Sequence, residues 1–527
     1  MAKKAEKNKK LMILLSILTV AVIVIVSVFY YVAFLSEKTE KTEDQEPVKE
    51  IDDRISPLTN QGLIFEIKRM RHRGIIDTIM KKGSSWRDPP QFYFITIIDE
   101  QEYISKDVSS RKGVTETFFV EWDTMLKENK ISRNAIEEQK SSDISLQIFE
   151  REKTGLLGLR TQDIEKEVIK LTYDYKTGRW EGDDSFNDSD GYGHYVGDNF
   201  EIWFNVYQTD FDHDGIPYWT EVNILKTNPK IDDSKLDPDE DGIPTTWEWK
   251  WGYPYNISNN HSVLDPDEDG LDNIEEYKMA KWFADPFSQD IYIEVDGMEK
   301  KGFFDIEHVF WEESQQILIE RFAEHGINVY IDDGWPDGPI NGGGEKLTYY
   351  ERISQDSGMM LQFYNNHFPE ERKGIFRYLV IANSAGFCHP AEFNRYDELA
   401  VGNGLSRMIS ITRRAFTPRT WRIALASGVM HEMGHSLGLG PWNVPGNDNL
   451  SYAGGRAAKQ AYLEEHGNYI SVMNYYYIWD HTIADYSDGT NGRGDVNDWE
   501  MFDLTFFQTE GKVVEDPGFE LPGEEEI

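Results

Sequence analysis

The sequence predicts a multidomain protein with an N-terminal transmembrane helix, a β-sandwich-like domain, a region of three acidic repeats and an α/β domain. Three observations support this fold class. An uncharged apolar run occupies Leu11–Leu35, Asp-rich loops recur between Asp210 and Glu276, and a His-Glu-x-x-His motif begins at His431 after alternating strand and helix patterns. At 527 residues the chain is too long for one ordinary domain.

The N-terminal segment has the pattern of a membrane anchor. The 25 mostly apolar residues of Leu11–Leu35 are enough to cross a bilayer of about 30 Å. Five lysines precede them, so the positive-inside rule predicts a cytoplasmic tail over residues 1–10 and the remaining chain outside. A cleaved signal peptide is the alternative, but its apolar core would span only about 7–15 residues. Residues 36–61 then form an acidic linker.

Composition narrows the classes of partner. The net charge of −40 argues against nucleic acid, because phosphates would be repelled, and it suits a chain that binds cations. Cys388 is the one cysteine, which excludes an intramolecular disulfide. An exported chain of this size then needs another means of stabilisation, and bound Ca²⁺ is the obvious candidate.

Residues 62–207 are predicted to form the β-rich, sandwich-like domain. A hairpin turn is expected between Tyr175 and Trp180, and no motif in the domain indicates chemistry, which favours a structural or docking module. Aromatic and β-branched runs mark the strands at Phe92–Ile98, Thr117–Trp122, Ile144–Phe149, Val168–Tyr175 and Phe200–Tyr207.

Residues 208–286 contain an internal repeat with the spacing of a Ca²⁺-binding loop. Oxygen ligands at alternate positions can wrap a hard cation, a glycine permits the sharp turn and a late glutamate closes the coordination shell. The three ligand sets are Asp210, Asp212, Asp214 and Glu221; Asp237, Asp239, Asp241 and Glu248; and Asp265, Asp267, Asp269 and Glu276. The loops resemble the calcium repeats of thrombospondin type 3 and dockerin domains, and we expect structural calcium rather than calcium signalling.

Residues 287–510 have the alternating pattern of an α/β domain, and residues 511–527 form an acidic tail. Apolar spacing predicts a helix of about twenty residues from Ile306 to Phe322, and a closing helix capped by Asn497 or Asp498. An oxygen-rich segment formed by Asp485–Gly489 and Asp495 is expected to be an exposed turn, a further Ca²⁺ loop or a part of the substrate cleft. The strands are predicted at Ile291–Val295, Asn328–Ile331 and Tyr378–Ala382.

The His-Glu-x-x-His motif carries the chemistry of this domain. His431 and His435 are four residues apart, so on a helix they lie on one face and can bind the same zinc ion. Glu432 lies beside that position and can take a proton from a water molecule that the metal activates. Groups of this kind serve in the zinc-dependent hydrolysis of peptide bonds.

Two further residues narrow the class of zinc enzyme that the motif indicates. Gly438 follows the histidines, and Met473 lies in Ser-Val-Met-Asn-Tyr. Over about Asp290–Gln508 the chain therefore resembles metzincin zinc metalloproteases, with their active-site helix and Met-turn. The resemblance implies that His431 and His435 are zinc ligands, Glu432 is the general base and Met473 packs beneath the metal. Tyr475 would steady the oxyanion or, as an equal alternative, be a core aromatic residue.

The sequence departs from the metzincin pattern at the position of the third zinc ligand. The metzincin position falls on Pro441, whose side chain cannot bind zinc. Either a longer loop brings a later residue to the metal, or the site is inactive. Asp448 is the first candidate because it follows the turn closely, and His466, His481 and Asp485 are its rivals.

The sequence thus predicts a membrane-anchored zinc endopeptidase with its catalytic domain outside the cell, a protein or peptide substrate, Zn²⁺ in the site and stabilising Ca²⁺. The alternative is a catalytically inactive cell-surface adhesion or scaffold protein with calcium repeats, which Pro441 motivates.

Overall fold

The computed structural model describes residues 51–58, 62–72, 91–104, 118–119, 123–125, 130–133, 139–154, 160–184, 193–334, 343–354, 358–388, 397–402, 418–480 and 483–508.

The predicted transmembrane fold class requires correction. In the described part of the chain, no helix is both long enough and apolar enough to cross a membrane. The apolar run Leu11–Leu35 lies outside the described residues, as do the acidic tail from residue 511 and most of the acidic linker. The predicted membrane anchor and the predicted outward-facing cell-membrane location are therefore not supported, whereas the mixed β and α/β sheets of the predicted fold class are present.

Two antiparallel sheets make up the β-rich region. One has the order β10-β11-β1-β5 with β6 also paired to β1, and the other has the order β3-β2-β7-β8-β9 with β4 paired to β2. Side chains of both sheets, such as Phe65, Phe94 and Ile148, share one buried core. The strands are β1 (Leu63–His72), β2 (Gln91–Ile98), β3 (Gln101–Ile104), β4 (Phe118–Phe119), β5 (Asp123–Met125), β6 (Lys130–Arg133), β7 (Ser141–Thr154), β8 (Arg160–Asp174), β9 (Arg179–Gly182), β10 (Gly193–Val196) and β11 (Phe200–Gln208).

Short helices follow each acidic loop. They are α1 (Tyr218–Thr220), continued by a π turn at Glu221–Leu225, then α2 (Thr245–Trp251) and α3 (Asn273–Met279). Single 3₁₀ turns occur at His261–Val263 and Ala280–Trp282. Among the loop-closing glutamates, Glu221 begins the π turn, Glu248 lies in α2 and Glu276 lies in α3, and all three are buried.

The α/β region is built on a third sheet with the order β13-β12-β15-β17-β16 and with β14 at one end of β12. All of its pairs are parallel except that of β16 with β17. Its strands are β12 (Asp290–Met298), β13 (Asn328–Asp332), β14 (Lys346–Leu347), β15 (Phe376–Ala382), β16 (Gly386–Cys388) and β17 (Glu398–Gly402).

The helices of this region position the candidate site. Helix α6 packs against β17 and α4, and buries Leu425, Val429 and Met433 in the shared core. The helices are α4 (Glu312–Ala323), α5 (Met359–His367), α6 (Pro418–Ser436), α7 (Arg456–His466) and α8 (Tyr475–Asp480), with 3₁₀ turns at Glu370–Arg372, Ser451–Ala453, Trp499–Met501 and Phe506–Gln508.

Two predicted helices differ from the structure. The helix expected from Ile306 begins only at Glu312, because the preceding segment crosses β12, where the His308 carbonyl lies 2.0 Å from the place of a Cβ on Gly297. The closing helix is one 3₁₀ turn at Trp499–Met501, and Asp498 does not cap it. The Asp498 side chain turns inward instead and accepts hydrogen bonds from other segments.

Candidate metal centre

Three side chains from two segments converge beside helix α6. The Nε2 atoms of His431 and His435 lie 3.0 and 3.4 Å from the two carboxylate oxygens of Asp448. Ligand atoms of all three residues lie within 4.8 Å of one another. Tetrahedral zinc, with bonds of about 2.0–2.2 Å, separates its ligand atoms by about 3.3–3.6 Å. The residues therefore fit a single zinc ion.

The other ring nitrogen of each histidine is held by the backbone. Nδ1 of His431 donates to the Val472 carbonyl, and Nδ1 of His435 donates to the Leu439 carbonyl, both at 2.8 Å. These bonds keep a proton on Nδ1, so that Nε2 of each ring is the atom that faces Asp448 and the atom through which a metal would be bound. Fixed orientation of this kind is typical of metal-ligating histidines.

The end of α6 explains how Asp448 reaches the histidines. Gly438 has φ +88°, and the amide of Leu439 donates to the Gly434 carbonyl at 2.9 Å, which closes the helix with a Schellman motif. The chain then turns through Pro441, held by the Asn443 side chain, which accepts from the Gly440 amide and donates to the Gly438 carbonyl. This extra turn places the carboxylate seven residues beyond Pro441.

Asp448 itself is anchored on the predicted Met-turn. It has φ +51°, an uncommon conformation for a non-glycine residue, and its amide donates to the Met473 carbonyl at 3.2 Å. Met473 is fully buried, and a Cβ on Gly434 would lie 2.3 Å from its Sδ atom. Glycine at position 434 therefore lets the turn lie directly beneath the helix between the two histidines.

Glu432 and Tyr475 flank the same cluster. Glu432 is buried, and its charge, after burial itself, contributes to raising the pKa of the Cys388 thiol on β16. The Tyr475 ring stacks on His431 with centroids 5.2 Å apart, and its hydroxyl donates to the Asp448 carboxylate. Tyr475 thus lines the site rather than the interior of the core.

The electrostatics of the cluster couple the carboxylate to the imidazoles. Burial alone would raise the pKa of Asp448, but the charge of His435 and hydrogen bonds from His431 and Tyr475 lower it below its ordinary value. Burial likewise lowers the pKa of His431, but the hydrogen bond and charge of Asp448 outweigh this and raise that pKa to about 9. A cation bound here would release the shared proton, because metal ligation requires neutral imidazole.

The rival ligands lie elsewhere or have other partners. His466 packs against Gly446, where a Cβ would meet its Nδ1 at 3.0 Å. Asp485 pairs with Arg321 at 3.3 Å, and His481 lies outside the described residues. The oxygen-rich segment is a hydrogen-bonded turn in which Asp488 and Asp495 accept from Thr490, Asn491 and Ser487.

Three parts of the centre are not predicted by the sequence motif. The carbonyls of Val472 and Leu439 carry no side-chain signal, so only the folded backbone reveals them. Trp442, adjacent to Pro441, is 38% exposed with its ring centroid 6.4 Å from that of His435. An exposed tryptophan beside an unusual proline could have been noticed as a cleft-lining candidate.

The three acidic loops share one geometry. In each, the first aspartate accepts from the glycine amide at 2.8–3.0 Å, and the third accepts from the amide two residues onward. The glycines Gly215, Gly242 and Gly270 have φ between +89° and +100°. The aspartates of the first loop, and those of the second, each form a group that could hold a metal ion.

Buried carboxylates in these loops have no partner among the described residues. Both oxygens of Glu248 and of Glu276 lack a hydrogen bond, as do both oxygens of Asp212 and Asp239. Burial, and then the charges of Asp214 and Asp212, raise the pKa of Glu221 to about 9, while Glu248 reaches about 8 for similar reasons. Buried charges of one sign are costly unless a cation joins them, so these residues fit bound cations, and loops that offer oxygen ligands alone fit Ca²⁺.

A downstream side chain that is not part of the predicted ligand sets approaches each loop. Asp233 joins Asp214 and Glu221 in one cluster, and the charge of Asp290 contributes to the raised pKa of Glu276 after burial. His261 joins Asp241 and Glu248. These residues follow the closing glutamates by twelve, fourteen and thirteen residues, a spacing that the repeat itself could have revealed.

Replacing Asp448 with asparagine is expected to weaken zinc binding by at least about tenfold, since even outer-shell partners contribute roughly 10–100-fold. Zinc affinity is measured by competition with a coloured chelator. Asp488→Asn, the same change at an exposed turn residue, is the control. Equal zinc affinity in both variants would exclude Asp448 as a ligand.

No protein-family model matches the chain, and no curated protein matches it. Among the solved structures that match, human GIVD cytosolic phospholipase A2 in complex with methyl gamma-linolenyl fluorophosphonate inhibitor and terbium chloride covers 31% of this chain and 19% of its own chain. The identity is 13% and the TM-score is 0.17, values that indicate neither a shared fold nor a shared activity.

Proposed function

We propose that this protein is a zinc-dependent endopeptidase that hydrolyses peptide bonds in proteins or peptides. The observation that carries the proposal is the convergence of His431, His435 and Asp448, with both Nδ1 atoms tied to the backbone. Three protein ligands with one further position for water are typical of catalytic rather than structural zinc.

The residues around the cluster have matching roles. Zinc, when bound, would polarise the scissile carbonyl and lower the pKa of a water molecule. Glu432 directly follows His431 in sequence and would take the proton of that water and return it to the leaving amine. The Tyr475 hydroxyl, beside Asp448, would turn to donate to the oxyanion.

The neighbouring strand suits an extended peptide. Strand β16 contacts helix α6 and ends the strand order of its sheet, so in the described part of the chain one of its edges carries no strand. An edge of this kind can pair with a substrate backbone by main-chain hydrogen bonds. That geometry favours a polypeptide over a compact small molecule as the substrate.

Cys388 on β16 is a poor alternative nucleophile. It is 6% exposed, and burial, followed by the charges of Glu432, Asp397 and Glu398, raises the pKa of its thiol well above the ordinary value. A reactive cysteine needs the opposite shift, since the thiolate is the nucleophile. Metal-assisted hydrolysis is therefore favoured over cysteine chemistry.

Metal dependence of proteolysis tests the proposal. The zinc-loaded full chain is incubated with fluorescently labelled unfolded casein and with either the chelating or a non-chelating isomer of phenanthroline. We expect cleavage to stop only with the chelating isomer and to return on addition of zinc. Cleavage that persists under chelation, or a zinc-loaded chain that cleaves nothing, would contradict the proposal.

A further inference from the structure

The middle acidic loop differs from its two neighbours in one ligand type. The side chain that approaches the first loop is Asp233, and the one near the third loop is Asp290. At the equivalent place the middle loop has His261. The first and third loops therefore offer oxygen atoms alone, while the middle loop also offers an imidazole nitrogen.

His261 is directed into the cluster. It is 1% exposed, and its Nε2 lies 3.4 Å from Asp241 Oδ2 and 3.8 Å from Glu248 Oε1. This nitrogen is buried without a hydrogen-bond partner in the described part of the chain, as are both oxygens of Glu248. A histidine that served only packing would leave three buried polar atoms unsatisfied at one point, which is costly.

The ring is held in this orientation from its other sides. The Tyr253 and Trp247 rings meet it edge to face at 5.0 and 6.1 Å between centroids. Asn273 contacts its Nδ1 at 2.9 Å, and the Tyr253 hydroxyl contacts the same amide. In the structure the Asn273 amide nitrogen faces Nδ1 and the Tyr253 hydroxyl donates to the Asn273 oxygen. Turning the amide over reverses both bonds, so that Nδ1 donates to the oxygen, and in either orientation Nε2 is the nitrogen that faces the carboxylates.

We propose that the middle loop binds a transition-metal ion of the Zn²⁺ type, with His261, Asp241 and Glu248 as ligands, rather than Ca²⁺. Calcium selects oxygen ligands, whereas imidazole suits zinc, copper, nickel and cobalt. Separations of 3.4 and 3.8 Å between ligand atoms are close to those around such an ion. The chain would then hold this ion between two calcium sites, independently of the candidate catalytic centre.

Cobalt binding under excess calcium tests the proposal. The background is the full chain carrying His431→Ala and His435→Ala, so that the candidate catalytic centre on helix α6 binds no cobalt. We expect about one Co²⁺ per chain, with visible absorption bands, that calcium does not displace. His261→Asp copies the neighbouring loops, and it should abolish cobalt binding and add about one bound Ca²⁺.

The control is His213→Asp, the same substitution at an exposed histidine of the first loop, which should leave cobalt binding unchanged. Circular dichroism checks the fold of each variant. If His261→Asp does not fold, His261→Gln replaces it, with the same expected loss of cobalt. Cobalt binding that survives the folded His261 variant, or a background chain whose middle loop takes calcium instead of cobalt, would overturn the proposal.

Discussion

Replacing Glu432 with glutamine is expected to lower kcat for hydrolysis of an unfolded protein by about 10²–10⁴-fold, the usual contribution of a positioned general base. Glutamine has the same shape but cannot accept the proton of the attacking water. His431, His435 and Asp448 are untouched, so zinc content should remain at about one ion per chain.

The control for this change is Glu465→Gln, since the Glu465 side chain is 79% exposed on helix α7. It removes the same charge at a distance from the cluster and should retain full activity. Proteolysis by Glu432→Gln at the rate of this control would remove Glu432 from the mechanism. Loss of zinc together with activity would assign Glu432 a structural role instead.

Removing calcium is expected to lower Tm by about 10–20 °C. A site at a calcium concentration one hundred times Kd contributes about 2.7 kcal/mol, so the two all-oxygen loops contribute about 5 kcal/mol. Each kcal/mol corresponds to roughly 2–4 °C in a domain of 150–250 residues. Scanning calorimetry with excess calcium and with a calcium-selective chelator measures the difference, and coincident melting curves would count against structural calcium.

Glu276→Gln tests this prediction further, because the sign of its Tm shift relative to the wild type should reverse between the two conditions. With calcium, the variant loses a buried ligand and should melt below the wild type. With chelator, it removes an unpartnered buried carboxylate and should melt at or above the wild type. Glu268→Gln makes the same change at an exposed position of the same loop and should shift Tm under neither condition.

Local spacing was enough to predict the histidine pair and the acidic loops. Four-residue spacing on a helix determines that His431 and His435 share a face, and the glycines of the loops adopt the positive φ that their turn needs. Gly438 also ends helix α6 as the motif predicts. Each of these features depends on residues within one or two turns of chain.

Long-range features were less accessible. That Asp448 rather than His466 meets the histidines depends on the Asn443-supported turn and on the contact with Met473, neither of which has a spacing signature. The sequence predicts Asp498 as a helix cap, yet its carboxylate accepts hydrogen bonds from the Tyr469 and Ser471 hydroxyls, which only the fold brings near. Tertiary contacts thus override local propensity at these positions.

A zinc-edge anomalous map of a crystal grown with zinc would locate the ion in the candidate metal centre. We expect one zinc ion about 2.0–2.2 Å from Nε2 of His431, Nε2 of His435 and a carboxylate oxygen of Asp448. The absence of an anomalous peak at this place, or a zinc ion that the two histidines do not bind, would contradict this expectation.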